Sequence, residues 1–163
     1  MSKPQMILVS LVIAATAAAT ERTPEGRAVD TVLTRFHAAA AAADGESYFG
    51  LFTDGAVFIG TDAAERWNLP DFKTFAEPYF ARGRGWTYTA TARNIVVSPD
   101  GATAWFDEIL WNDSYGICRG TGVLVRTDEG WRIAQYHLAI PIPNELSKEL
   151  TTRIKEHENR PTD

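Results

Sequence analysis

Residues 103–138 read TAWFDEILWNDSYGICRGTGVLVRTDEGWRIAQYHL, and their two-residue period decides the fold. Apolar and polar residues alternate through Thr103–Asn112, Ile117–Arg126 and Trp131–Leu138. Between these runs stand Asp113-Ser114-Tyr115-Gly116 and Thr127-Asp128-Glu129-Gly130, which is turn chemistry. A fourth run, Trp86 to Val97, precedes them across Ser98-Pro99-Asp100-Gly101. Four strands joined by short turns predict an antiparallel meander.

The turns also set a register. With Thr127–Gly130 as a loop, Arg126 faces Trp131, Leu124 faces Ile133, Gly122 faces Gln135 and Gly120 faces His137. With residues 112–116 as the preceding loop, Leu110 faces Cys118, Glu108 faces Gly120 and Phe106 faces Gly122. One face then carries Ala104, Phe106, Leu110, Cys118, Leu124 and Ile133, and Glu108 and His137 flank Gly120 within it. Strands lie about 4.8 Å apart, so these two side chains start about 10 Å apart over a glycine. Burial raises a carboxyl pKa and lowers that of an imidazole, the direction acid–base chemistry uses. A purely structural Glu108–His137 hydrogen bond is the alternative, and a one-residue slip would remove either group from the face.

Upstream the period is helical. Thr23-Pro24-Glu25 is a helix start, and Val29, Val32, Leu33, Phe36, Ala40 and Ala43 follow as one stripe to Asp44-Gly45. Tyr48, Phe49 and Phe52 suggest a second helical turn ended by Asp54-Gly55, before a brief strand Ala56–Gly60. A third helix carries Phe72, Phe75, Ala76, Tyr79 and Phe80, and Pro78 should kink or split it. Helices first and a meander second mean an α+β class. Beyond Pro141 and Pro143, Asn144 can cap a last helix whose charged faces suit solvent.

The opposite sheet face mixes Trp105, Trp111 and Tyr136 with Arg119 and Arg132, an interface composition that predicts a homodimer. Residues 1–19 read as a signal peptide: Lys3, an apolar run from Met6 to Ala15, then Ala17 and Ala19 in the A-x-A pattern. The expectation is export, to the periplasm or outside the cell, with no stable membrane anchor after cleavage. The domain is expected over 20–140, with a Pro-containing linker and helix over 141–163.

The 163 residues are 45% hydrophobic and 11% aromatic, enough for one globular domain. A net charge of −5 argues against nucleic-acid binding. The single Cys118 excludes an intramolecular disulfide, and on an inward face it reads as a small buried hydrophobe. His37, His137 and His157 lack metal-ligand spacing, so no metal or other cofactor is expected. Asp62, Glu65, Arg66 and Trp67 cluster before the third helix. Asp62 and Trp67 are candidate pocket residues there, while Glu65 and Arg66 read as solvated. Tyr79, Gln135 and Cys118 complete the candidate substrate contacts, beside Glu108 and His137 as the catalytic pair.

Three blocks carry a family resemblance: Ala104-Trp105-Phe106-Asp107-Glu108, Cys118-Arg119-Gly120-Thr121-Gly122 and Gly130-Trp131-Arg132-Ile133-Ala134-Gln135-Tyr136-His137-Leu138. With Phe58-Ile59-Gly60-Thr61-Asp62 and Glu65-Arg66-Trp67, they resemble the SnoaL-like branch of the nuclear transport factor 2-like superfamily from about Val29 to Asn144. The resemblance implies a cone-shaped α+β domain, helices packed on a curved antiparallel sheet, and a pocket at the open end. It implies frequent dimers through the sheet, and members that are polyketide cyclases, isomerases or dehydratases. Asp62 lies near the expected mouth, but nothing aligns it with the cyclases' catalytic Asp. The expected function is a cofactor-independent acid–base enzyme on a small apolar molecule. The alternatives are a ligand-binding module and a dimeric interaction domain.

Overall fold

The computed structural model describes residues 23–159, and the expected signal peptide lies outside them. Helix α1 (Pro24–Ala41) starts where Thr23 accepts the Gly26 N–H at 3.1 Å. Its stripe of Val29, Leu33, Phe36 and Ala40 is buried. It ends on Ala43 at φ 54°, with Asp44 N–H bonded to Ala39 O and Ala43 N–H to Ala40 O. This is a Schellman stop in which alanine occupies the left-handed position that glycine usually takes. Asp44 then caps α2 (Gly45–Phe49) through the Ser47 N–H.

Strand β1 (Phe52–Ile59) begins earlier than expected, and Asp54-Gly55 lies inside it. The turn residues accommodate a register shift between Phe52 and Val57 rather than a boundary. After β2 (Arg66–Asn68), Asn68 caps α3 (Leu69–Phe80) through the Asp71 N–H. Pro78 does not split α3, because it falls in the last turn and the helix stops two residues later. Strands β3 (Thr89–Val97), β4 (Thr103–Asn112), β5 (Gly116–Thr127) and β6 (Gly130–Ala139) form the meander.

The sheet order is β2-β1-β6-β5-β4-β3. The wholly antiparallel expectation is corrected at one seam, where β1 runs parallel to β6, so the curved sheet is mixed. The chain from β2 and α3 through β5 lies between β1 and β6 and supplies the long connection that a parallel pair needs. Phe52, Phe58, Phe106, Leu124, Ile133 and Tyr136 meet α1 in the core.

The expected register is kept in one ladder of the meander and changed in the next. The β4–β5 register holds, with Glu108 opposite Gly120 and Phe106 opposite Gly122. In β5–β6, Leu124 faces Ile133 but Val123 faces Gln135, which leaves Ala134 as an extra residue. This β-bulge moves every later β6 side chain to the other face. Gly120 therefore faces Leu138, Tyr136 turns inward, and His137 and Gln135 turn outward. Helix α4 (Asn144–Glu158) buries no residue and lacks a side-chain cap, so it leaves the outer sheet face uncovered. On that face Trp105 and Trp111 are 47% and 49% exposed.

Candidate functional site

Glu108 is 1% exposed, the one charged residue in the core among the described residues, and donors surround it. Arg93 stands directly opposite on β3 and donates from Nε to Glu108 Oε2 at 2.7 Å. His37 reaches down from α1 and places Nε2 2.7 Å from Glu108 Oε1. The Tyr136 hydroxyl donates to the same oxygen at 3.0 Å. Arg93 is held from its other side, donating to Asp30 Oδ1 at 2.8 Å and to Thr34 Oγ1 at 3.1 Å. A guanidinium, an imidazole and a phenol thus satisfy a carboxylate that would be costly to bury alone.

Gly120 makes the cluster possible. A Cβ there would fall 2.7 Å from Glu108 Oε1 and overlap the Tyr136 hydroxyl. Leu138, not His137, completes the Glu108–Gly120 row, and the space over Gly120 is filled by Glu108 and by the hydroxyl of Tyr136, which reaches across from its place opposite Gly122.

Electrostatics set the proton positions. Burial pushes the Glu108 carboxyl up, but His37 and Arg93 outweigh it and hold the pKa below the usual carboxylate range. The expected upward shift is corrected: the acid is buried with its counter-charges. Burial and then Glu108 drive the Tyr136 phenol well up, so it keeps its proton and donates. An ionised Glu108 only accepts, so His37 carries its proton on Nε2. In the neutral ring Nδ1 is then the basic nitrogen.

His37 and Tyr136 also line a cavity of about 260 Å³ beneath α1 and α3. Its walls are mainly aromatic. Phe58 stacks on Phe72 with centroids 4.0 Å apart, Trp67 on Phe75 at 4.9 Å, and Phe58 on Tyr136 at 5.7 Å. Tyr88 lines the wall, its hydroxyl pushed up to about 12 by burial and then by Cys118 and Tyr115. Tyr48 is fully buried at the cavity wall, and its hydroxyl makes no hydrogen bond. The Trp86 indole lies near enough to favour its phenolate slightly, but burial keeps the Tyr48 proton on. Among the described residues no three His, Cys, Asp or Glu side chains are grouped to hold a metal ion.

Of the residues singled out from sequence, Glu108 anchors the cluster and Trp67 lines the cavity. His137 is half-buried on the outer face, and Gln135 is exposed there. Asp62 is exposed and spends its carboxylate on the Ala64 N–H at 2.8 Å. Tyr79 is 43% exposed, packed on Phe75 with the Arg82 guanidinium over its ring, away from the cavity. Cys118 is buried opposite Leu110 in the core, and burial pushes its thiol up. Glu65, read as solvated, is half-buried at the cavity. Sequence reasoning missed His37 and Arg93, yet both left signals. His37 lies four residues after Leu33 and three before Ala40, beside the buried stripe. Counting back from Val97 opposite Ala104 puts Arg93 opposite Glu108.

A family model described as a SnoaL-like domain matches residues 29–143. No curated protein matches the sequence. Among solved structures, an NTF2-like protein of unknown function from Pseudomonas putida aligns with a TM-score of 0.60 at 14% identity, over 72% of this chain and 87% of its own. A domain of unknown function with a cystatin-like fold from Nostoc punctiforme gives 0.63 at 15% identity, over 80% and 86%. A dehydratase candidate from the NTF2-like family of Streptomyces avermitilis gives 0.60 at 16%, over 72% and 96%. At such identities the likeness is one of fold. With the family match spanning most of the chain and the mixed, curved sheet beneath its helices, the chain belongs to the SnoaL-like family of NTF2-like domains.

Proposed function

We propose that this domain is a cofactor-independent acid–base enzyme acting on a small, largely apolar molecule, with His37 as the proton-transferring group. One observation carries the reading: a histidine on the cavity wall is hydrogen-bonded at 2.7 Å to a buried carboxylate that Arg93 keeps ionised. His37 Nδ1 takes a proton from carbon beside a carbonyl, and Glu108 stabilises the imidazolium that forms. Tyr88 keeps its proton and can donate to the oxygen where charge develops. The proton returns to another carbon in an isomerisation, or leaves with a β-hydroxyl as water in a dehydration. Past His37 an open cleft bordered by Asp30, Thr34 and Arg93 offers the proton a path to solvent.

The test uses 2-tetralone in D₂O, with exchange of its α-protons followed by NMR. The protein should accelerate exchange about 10²–10⁴-fold through general base catalysis. His37→Gln should abolish the acceleration without unfolding the chain. Tetralone binding with no acceleration would leave a binding module and refute the enzyme. Export through residues 1–19 and a homodimer through the Trp105–Trp111 face belong to the same proposal. Sedimentation of the parent and of Trp105→Glu tests the dimer, which the charge should dissociate.

A further inference from the structure

The rings along one cavity wall form a near-parallel series. Interplanar angles are 22° for Trp67–Phe75, 23° for Trp67–Phe72, 13° for Phe58–Phe72 and 16° for Phe58–Tyr136. The series starts at Phe75, which is 42% exposed, and ends at the Tyr136 ring beside Glu108. Rings that already lie on one another leave a flat guest the open end of the series at Phe75 and the slipped part of each face, and leave a puckered guest less.

The charge on the lining is one-sided. No Lys or Arg stands among the described residues that line the cavity, whereas Glu65 does. Glu65 makes no ion pair among the described residues, and its Oε2 accepts only the Asp62 N–H, at 3.2 Å. It is built into place, because a Cβ on Gly60 would overlap its carboxylate. The hairpin that carries Glu65 also carries Trp67, so a carboxylate and the aromatic series share one edge. His37, the basic group of the lining, is engaged by Glu108, so a Glu65 carboxylate that no Lys or Arg neutralises, beside aromatic rings, repels anions and attracts cations.

We propose that the cavity selects a planar ring bearing a positive charge, stacked along the Phe75–Trp67–Phe72–Phe58 series with its cationic nitrogen toward Glu65. The inference rests on the cavity being a small-molecule site, and it names the substrate class of that site.

The test is isothermal titration calorimetry with four probes: N-methylquinolinium, 1-methylnaphthalene, 1-naphthoate and N-methylquinuclidinium. N-methylquinolinium should bind about tenfold more tightly than 1-methylnaphthalene, with 1-naphthoate weakest. N-methylquinuclidinium, charged but not flat, should bind more weakly than N-methylquinolinium. Glu65→Gln retains an acceptor for the Asp62 N–H and should shrink the tenfold gap to about twofold. Thr61→Lys places a cation at an exposed lining position and should reverse the order of N-methylquinolinium and 1-naphthoate. Equal or tighter binding of 1-naphthoate to the parent, a gap unchanged in Glu65→Gln, or no binding of any probe overturns the proposal. The charge order is read without turnover. If it persists while tetralone exchange fails, only the enzyme reading falls; exchange without a charge order overturns only this inference.

Discussion

Replacing Glu108 by Gln removes one charge from the core and almost no volume. In the parent, Oε1 accepts from His37 and Tyr136, and Oε2 accepts from Arg93. A glutamine keeps one acceptor. If its oxygen faces Arg93, its amide faces His37, which can answer only by moving its own proton from Nε2 to Nδ1. Tyr136 must rotate its hydroxyl in the same step. Arg93 retains Asp30, so the guanidinium is not stranded. Hydrogen bonds to charged groups contribute about 1.5–3 kcal/mol each, and removing one partner of a buried pair costs about 3–5 kcal/mol. With the tautomer change and Asp30 offsetting part of that, Glu108→Gln should lose about 2–3 kcal/mol at pH 7. Urea unfolding of both proteins measures the difference.

The pH dependence follows from the direction of the Glu108 shift. Its folded pKa is lowered, so its stabilising contribution is complete above the unfolded carboxyl pKa of about 4.3 and falls away as pH drops through the folded value. The gap between parent and Glu108→Gln should therefore narrow below about pH 4 and stay constant from about pH 6 upward. A variant within about 0.5 kcal/mol of the parent at pH 7, or a gap that widens in acid, refutes the charged cluster. Nitrogen NMR of the imidazoles gives an independent reading: His37 should carry its proton on Nε2 in the parent and on Nδ1 in the variant.

Gly120→Ala should destabilise by about 1–3 kcal/mol in urea unfolding, because its methyl meets the Glu108 carboxylate and the Tyr136 hydroxyl. His137→Gln should change stability by less than about 0.5 kcal/mol in the same assay, since the ring is half-buried on the outer face. Ala43→Gly should stabilise by about 1 kcal/mol, visible as a higher Tm, by relieving a left-handed alanine at the α1 stop. A chain ending at Pro143 should unfold at the parent's midpoint, because α4 buries nothing.

The residues that were easy to read from sequence share a physical cause. Glu108 opposite Gly120 emerged by counting because β4 and β5 pair without irregularity from Thr103 to Asn112. Buried stripes emerged because helix and sheet periods differ, as with Val29, Leu33 and Phe36 on α1. Counting failed at Ala134, where an apolar residue gives no local sign that it lies outside the ladder. It failed again at β1, because pairing in parallel with β6 is a long-range choice that no neighbouring turn encodes. His37 was obscured by its company: in a run rich in alanine, a polar residue flanking the buried stripe looks like surface until something stands beneath it. Asp62 and Glu65 exchanged roles for a similar reason. One carboxylate closes a backbone turn and the other lies along Gly60 at the cavity, a choice made by the hairpin's path.

The extra residue at Ala134 gives this site an unusual kind of mutability. If Ala134 entered the ladder instead of bulging out of it, every later residue of β6 would move one place, setting His137 opposite Gly120 and an imidazole beside Glu108 where a phenol now stands. A phenol and an imidazole thus stand side by side in the chain, one turned to the core and one to the outer face. Such a strand can exchange the character of its cavity wall by a one-residue slip, without a substitution to create the new side chain.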